Sequence, residues 1–139
     1  MILLDTNVVS ELTRLAPNPS VINWLDAQAA KDVFLSAITE AELRFGVAIL
    51  PEGRRRERLA FEVENMLRED FERRILPFDS FAARMFAEIA ADRRAIGKPI
   101  SDADCQVAAI ARCYGAAVAT RNVGDFEDCG IELINPWSS

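Results

Sequence analysis

Apolar and polar positions alternate along the chain in two periods. Ile2-Leu3-Leu4 is a short unbroken apolar run ending on Asp5, the mark of a buried strand. Val8 to Leu15 predicts a short helix stopped ahead of Pro17, and Val21, Trp24 and Leu25 place a second helix over Ser20 to Ala30. Asp32 to Ser36 reads as the second strand. Ile38, Ala41, Phe45, Ala48 and Ile49 then recur at i, i+3, i+4 and predict a third helix. Pro51-Glu52-Gly53 breaks it, and Leu59, Val63, Met66 and Leu67 mark a fourth, so the two form a helical hairpin. Ile75-Leu76 is a further short strand. Asp79 or Ser80 opens a helix reaching about Ile96, where Gly97 closes it, and Ser101 to Tyr114 is a helix ended by Gly115. Ala116 to Ala119 and Ile131 to Ile134 are the last strands.

Strands alternating with helices imply right-handed βαβ units. The predicted fold class is therefore α/β, a central, mainly parallel sheet with helices on both faces. In such folds ligands gather beyond the carboxyl ends of the strands, where helix N-termini also point. Asp5 falls at that edge.

Bulk properties narrow the chemistry. At 139 residues the chain reads as one domain, and its 50% apolar and 27% charged content is that of a globular protein. No apolar run approaches the roughly 18 residues of a membrane span, and no basic-then-apolar leader opens the chain, so a cytoplasmic protein is expected. Cys105, Cys113 and Cys129 fit no paired metal spacing and read as reduced thiols. The chain has no histidine, which excludes a Ser-His-Asp triad, imidazole acid–base chemistry and a histidine-ligated zinc. A net charge of −6 argues against nonspecific coating of nucleic acid. It leaves room for a nucleic-acid substrate, because a divalent ion in an acidic pocket reverses the local sign.

Four acids sit at strand–helix junctions. Asp5, with Thr6 and Asn7, either caps the first helix or lies at the mouth of a cleft and holds something positive. Glu42 stands in Thr39-Glu40-Ala41-Glu42 and Asp104 in Ser101-Asp102-Ala103-Asp104, both at capping-box spacing. Asp125 follows the strand Ala116 to Ala119 in the loop Thr120-Arg121-Asn122-Val123-Gly124-Asp125. Parallel wiring would bring the helix starts bearing Asp5, Glu42 and Asp104 together. Carboxylates converging in one cleft raise one another's pKa values unless a cation compensates. An oxygen-only ligand set suits Mg²⁺ or Mn²⁺, which can activate water for hydrolysis with no histidine.

The segments MILLDTNVVSEL, LSAITEAELRFGV, DADCQVAAIA and VATRNVGDF, in this order, with the closing Ile134-Asn135-Pro136-Trp137, resemble PIN-domain endoribonucleases. The chain is most similar to the VapC-type toxins of toxin–antitoxin pairs, in their FitB-like, plasmid-stability branch. The likeness implies a single PIN domain over 1–139 with a three-layer α/β fold. It implies Mg²⁺-dependent cleavage of RNA with Mn²⁺ able to substitute, a cognate antitoxin partner of the VapB or FitA kind, and a homodimer. Asp5, Glu42 and Asp104 fall on the family's metal-binding acids, and Thr6 and Asn7 on the polar positions of its first motif. Relatives in this branch often carry an acid where this chain has Asn122, so the fourth ligand is either Asn122, as a neutral oxygen, or Asp125.

The basic residues have two readings. Arg54, Arg55, Arg56 and Arg58 open a helix, where cations oppose the macrodipole. They form either a solvated face or a patch steering an RNA backbone. Arg44 and Arg121 lie beside proposed site positions and either contact phosphate or make surface ion pairs. Phe78, Phe81, Met85, Phe86 and Ile89 read as core and interface, and Trp24 and Trp137 as packing residues. Two other function classes stay open: a phosphatase or phosphotransferase with Asp5 as nucleophile, assisted by Lys98 and Asp102 or Asp104, and a noncatalytic PIN-like binding module.

Overall fold

The computed structural model describes residues 1–138. Five strands, β1 (Ile2–Leu4), β2 (Val33–Ser36), β3 (Ile75–Leu76), β4 (Ala117–Ala119) and β5 (Leu133–Ile134), form one sheet in the order β3-β2-β1-β4-β5. Every pairing is parallel, with Leu4 opposite Ala119 and Leu3 opposite Phe34. Six helices surround it: α1 (Thr6–Leu12), α2 (Pro19–Asp26), α3 (Ala37–Ala48), α4 (Arg54–Asn65), α5 (Ser80–Ala95) and α6 (Asp102–Tyr114). The chain leaves β1 toward β2 on one side and returns to β4 on the other, so the strand order reverses at β1. The crevice beyond the carboxyl ends of β1 and β4 is the place such sheets offer a ligand.

The alternation of side chains along each strand divides the core in two. Leu3 and Val118 face α5 and α6, packing with Ile89, Val107, Ile110 and Phe126. Leu4, Leu35 and Ala119 face α1 to α4, packing with Val8, Val9, Val21 and Val63. Successive strand residues point to opposite faces, so β1 must be apolar throughout until it leaves the sheet, and Asp5 is the first residue that does. Asp79 caps α5 by accepting from Ala82 N–H, Gly115 ends α6 at φ 64, and Gly97 follows α5 at φ 75, the left-handed region glycine enters without a Cβ penalty.

Several boundaries move. Helix α1 begins at Thr6, not Val8, and stops at Leu12, because Asp5 caps it two residues earlier than the apolar spacing shows. Helix α2 ends at Asp26, and Ala30–Asp32 makes a separate 3₁₀ turn before β2. Helix α4 runs on into a widened π turn over Met66–Asp70, which apolar spacing does not reveal. Phe81 is 69% exposed and leaves the expected core set, whereas Phe78 and Phe86 meet edge to face at 5.9 Å and Ile89 is buried.

Candidate active site

Asp5 both caps α1 and lines a cleft. Its Oδ1 accepts from Thr6 N–H at 2.9 Å, the helix cap, while Oδ2 accepts from the Thr120 hydroxyl at 2.9 Å and the Asn7 amide at 3.4 Å. The side chain is buried yet lines a cleft of about 520 Å³ beyond the carboxyl ends of β1 and β4. Burial pushes its carboxyl above the ordinary aspartate range. The Thr120 and Thr6 hydrogen bonds oppose that rise, and the charges of Asp104 and Glu42 add to it.

Glu42 projects from the second turn of α3 into the same cleft. The capping-box reading of Thr39 and Glu42 fails, because α3 starts two residues before Thr39 and Ser36 is its cap, accepting from Thr39 N–H at 3.0 Å. Freed from capping, Glu42 Oε1 accepts from the Thr6 hydroxyl at 2.8 Å, and that hydroxyl lies 3.2 Å from the Thr39 hydroxyl. Thr6 thereby ties α1 to α3 across the cleft. Asp104 enters from the first turn of α6, where Ser101 caps the helix by accepting Asp104 N–H at 3.2 Å. Its carboxyl also lies above the usual range, chiefly through burial. The Ser101 hydrogen bond opposes the shift, and the charges of Asp125 and Glu42 reinforce it.

Asn7 and Asn122 line the cleft with the acids. Asn122 N–H donates to the Thr120 hydroxyl at 3.1 Å, so this loop is tied to Asp5 through Thr120. Asp125 sits on the 3₁₀ turn Val123–Phe126, exposed, near enough to Asp104 to raise its carboxyl but outside the cleft lining. Arg121 lies on the rim. The other arginines divide. Arg44 is taken up by Glu40 at 2.9 Å and Glu64 at 2.7 Å on the outer side of α3 and α4, the surface ion pairing that was one of its two readings. Arg58 pairs with Glu62 at 2.8 Å. Arg55 lines a narrow neighbouring cavity of about 190 Å³ that Thr6 and Glu42 also border. Arg54 and Arg56 do not line the acidic cleft.

Thr120, behind the cleft, and Ser10, Glu11, Arg14 and Trp137, in its lining, escaped the sequence reading. Thr120 is fully buried, and its hydroxyl organises Asp5, Asn7 and Asn122. A signal for it existed: parallel pairing of Leu4 with Ala119 makes Thr120 the lateral neighbour of Asp5. Ser10, Glu11, Arg14 and Trp137 complete the wall, and no local pattern marks them. A larger groove of about 770 Å³, lined by Leu12, Leu25, Met66, Phe71, Asp70 and Arg74 among others, shares none of the residues of the acidic cleft.

The oxygen-only donor set fits a hard divalent cation. Among the described residues no three acidic, histidine or cysteine side chains close into a cage around one point.

Residues 2–130 match the PIN domain. The chain belongs to the PIN-domain family. It is 45% identical over 137 residues to a VapC ribonuclease, Y4jK of Sinorhizobium fredii, covering 99% of this chain and 98% of that one. It is also 45% identical over 137 residues to toxin FitB of Neisseria gonorrhoeae, covering 99% of each. The crystal structure of FitAcB from Neisseria gonorrhoeae superposes with a TM-score of 0.95 at 45% identity, over 100% of both chains.

The fourth-ligand question gives a direct prediction. Asp5, Glu42 and Asp104 supply three negative charges; a fourth carboxylate would balance two divalent ions. Asn122→Asp is expected to tighten Mn²⁺ binding, because position 122 lines the cleft. Asp125→Asn should loosen it by less than Asp104→Asn does, since Asp125 acts only from outside. Isothermal titration of the three variants decides; an Asp125→Asn protein that binds Mn²⁺ like the parent makes Asp125 a loop acid.

Proposed function

We propose that the protein is a Mg²⁺-dependent endoribonuclease, with Mn²⁺ able to substitute, acting in the cytoplasm as the toxin of a toxin–antitoxin pair. The observation that carries this is the convergence of Asp5 from β1, Glu42 from α3 and Asp104 from α6 on one cleft, in a chain 45% identical to a VapC ribonuclease. In this reading Asp5, Glu42 and Asp104 hold the metal, with Asn122 contributing an amide oxygen and Asp125 weak assistance. A divalent ion held by these residues would supply water activation at neutral pH and charge stabilisation at the scissile phosphate. The chain's own groups fix the acids. Thr120 and Thr6 N–H hold the Asp5 carboxylate from both oxygens, and the Thr6 hydroxyl holds Glu42. Asp5 is buried with both oxygens engaged, which suits a ligand better than the nucleophile of an aspartyl-phosphate enzyme. The likeness to FitAcB and toxin FitB supports a protein antitoxin as partner. Phe45 and Ile49, 64% and 63% exposed on and just after α3, support self-association as a homodimer. No helix among the described residues is long and apolar enough to cross a membrane.

The test combines metal and RNA. Purified protein is expected to cleave single-stranded RNA with Mn²⁺ and to stop in EDTA. Its melting temperature should rise with Mn²⁺ as RT ln(1 + [L]/Kd), about 2.7 kcal/mol of stability at a hundredfold excess over Kd. Melting indifferent to Mn²⁺ removes the metal from the site. A metal-bound protein that leaves RNA intact points instead to the noncatalytic binding module, and a trapped phosphoaspartate to the phosphotransferase.

A further inference from the structure

The cleft is not lined by acids alone. Beside Asp5, Glu11, Glu42 and Asp104 its lining includes Arg14, Arg121 and Trp137. Several other arginines in the fold are already engaged. Arg44, Arg58 and Arg112 are ion-paired, and Arg74 and Arg93 are spent on backbone carbonyls. Arg121 differs. Its guanidinium carbon lies 5.2 Å from the centroid of the Trp137 ring, and it makes no ion pair among the described residues.

Both partners of that stack are held. Arg121 N–H donates to Asn7 Oδ1 at 3.3 Å, anchoring its backbone to the helix that starts at the acids. Trp137 packs against the core on the α1–α4 side of the sheet, and its backbone N–H donates to Asn135 Oδ1 at 3.0 Å. A guanidinium laid on an aromatic face loses rotamer freedom before any ligand arrives, while its N–H edge stays available to a phosphate. Arg14 is pre-ordered by a different route. Its Nη1 meets the buried Glu11 carboxylate at 3.2 Å while the side chain remains 67% exposed, and Glu11 is itself held by Asn18 N–H at 3.0 Å.

We propose that Arg121, braced on Trp137, and Arg14, braced on Glu11, form a clamp for the RNA phosphate next to the one that is cut. The inference rests on the ribonuclease reading and adds how the strand is held in the cleft. One backbone phosphate is gripped by the two guanidinium groups, and this brings its neighbour over the acids. Planar guanidinium edges suit two phosphate oxygens at once. Phosphate contacts position the strand without reading its sequence, so the clamp sets register and not base preference.

The test compares the parent with Arg121→Met, Arg14→Gln, Trp137→Leu and Arg121→Lys. Methionine keeps an apolar stem on Trp137, and glutamine keeps a donor for Glu11, so each removes charge with little disturbance of packing. In Mn²⁺ with a short single-stranded RNA, Arg121→Met and Arg14→Gln are each expected to raise KM roughly tenfold, the size of one lost charge-assisted hydrogen bond. Because the grip is made equally in ground and transition states, kcat should stay within about twofold. Fluorescence anisotropy with labelled RNA in EDTA should show the slope of log K against log salt falling by about 0.7 for each lost contact. Trp137→Leu should weaken binding in the same direction without removing a charge, and Arg121→Lys should restore only part of the loss. Melting temperature and Mn²⁺ affinity of Arg121→Met and Arg14→Gln should match the parent, whereas Trp137→Leu, which gives up core packing, should melt lower and keep its Mn²⁺ affinity. Unchanged KM and salt slope in Arg121→Met overturn the clamp, as does a fall in kcat at constant KM. A parent that neither binds nor cuts RNA overturns the ribonuclease reading and the clamp with it, whereas an active parent with indistinguishable variants overturns the clamp alone.

Discussion

Asp104→Asn and Asp5→Asn are each expected to lower Mn²⁺-dependent RNA cleavage at least about a hundredfold, while the metal-free variants keep the fold. A bound divalent ion supplies several kcal/mol of transition-state stabilisation, and each 1.36 kcal/mol lost is tenfold in rate. Neutralising one of three carboxylates weakens the hold on that ion and leaves the packed core untouched. Without metal the same change removes a cost, because burial and neighbouring acids hold both carboxyls above their ordinary pKa. A carboxyl raised in the folded state binds its proton there before the unfolded chain does. The metal-free parent therefore gains stability as pH falls from neutral through the raised folded-state value, and the full gain is present only below the unfolded-state value. Asp104→Asn should melt higher than the metal-free parent at pH 7, and the gap should close as the pH is lowered through that window. For Asp5→Asn the gain is smaller, since the new amide nitrogen would face the Asn7 amide that now donates to Oδ2. Calorimetry in EDTA across pH, paired with cleavage assays in saturating Mn²⁺, checks both halves. Wild-type cleavage by either variant would sink the assignment.

The second large effect lies behind the site. Arg93→Met is expected to cost about 3 kcal/mol of stability, a fall of roughly 6–12 °C in melting temperature. Arg93 is buried on α5, and its Nε donates to Lys98 O at 2.7 Å. Its Nη1 donates to Asp125 O at 3.0 Å, Glu127 O at 2.9 Å and Cys129 Sγ at 3.6 Å. Methionine fills similar volume but donates nothing, so backbone carbonyls of the turn after β4 lose their partner, and an unmet buried acceptor costs its desolvation in full. The site should register the change too. Arg93 is one of the groups drawing the Asp104 carboxyl down, so its loss lets that carboxyl rise further. Urea denaturation gives the stability; a loss under 1 kcal/mol would show that water replaces the guanidinium.

The residue order alone settled most of the architecture. Short apolar runs ahead of Asp5, up to Ser36 and up to Ala119 read as strands, and the helical stripes between them pointed to parallel wiring. Asp5, Glu42 and Asp104 were legible as a set because each stands where a strand gives way to a helix, and the parallel fold carries those junctions to one edge. Local spacing could not choose between cap and cleft. Ser36 took the cap of α3 and released Glu42, whereas Asp5 kept both duties. Long-range geometry decided the rest. Thr120 reaches Asp5 across 115 positions and Trp137 meets Arg121 across the end of the sheet, contacts that leave no periodic trace. Between phosphate contact and ion pairing for Arg44 the sequence did not choose; α4 folds back and brings Glu64 to it. Strand and helix identity depends on neighbours a few residues away, so the sequence carries it openly. The partner of a buried hydroxyl or an arginine depends on which elements pack together, and only the folded chain decides that.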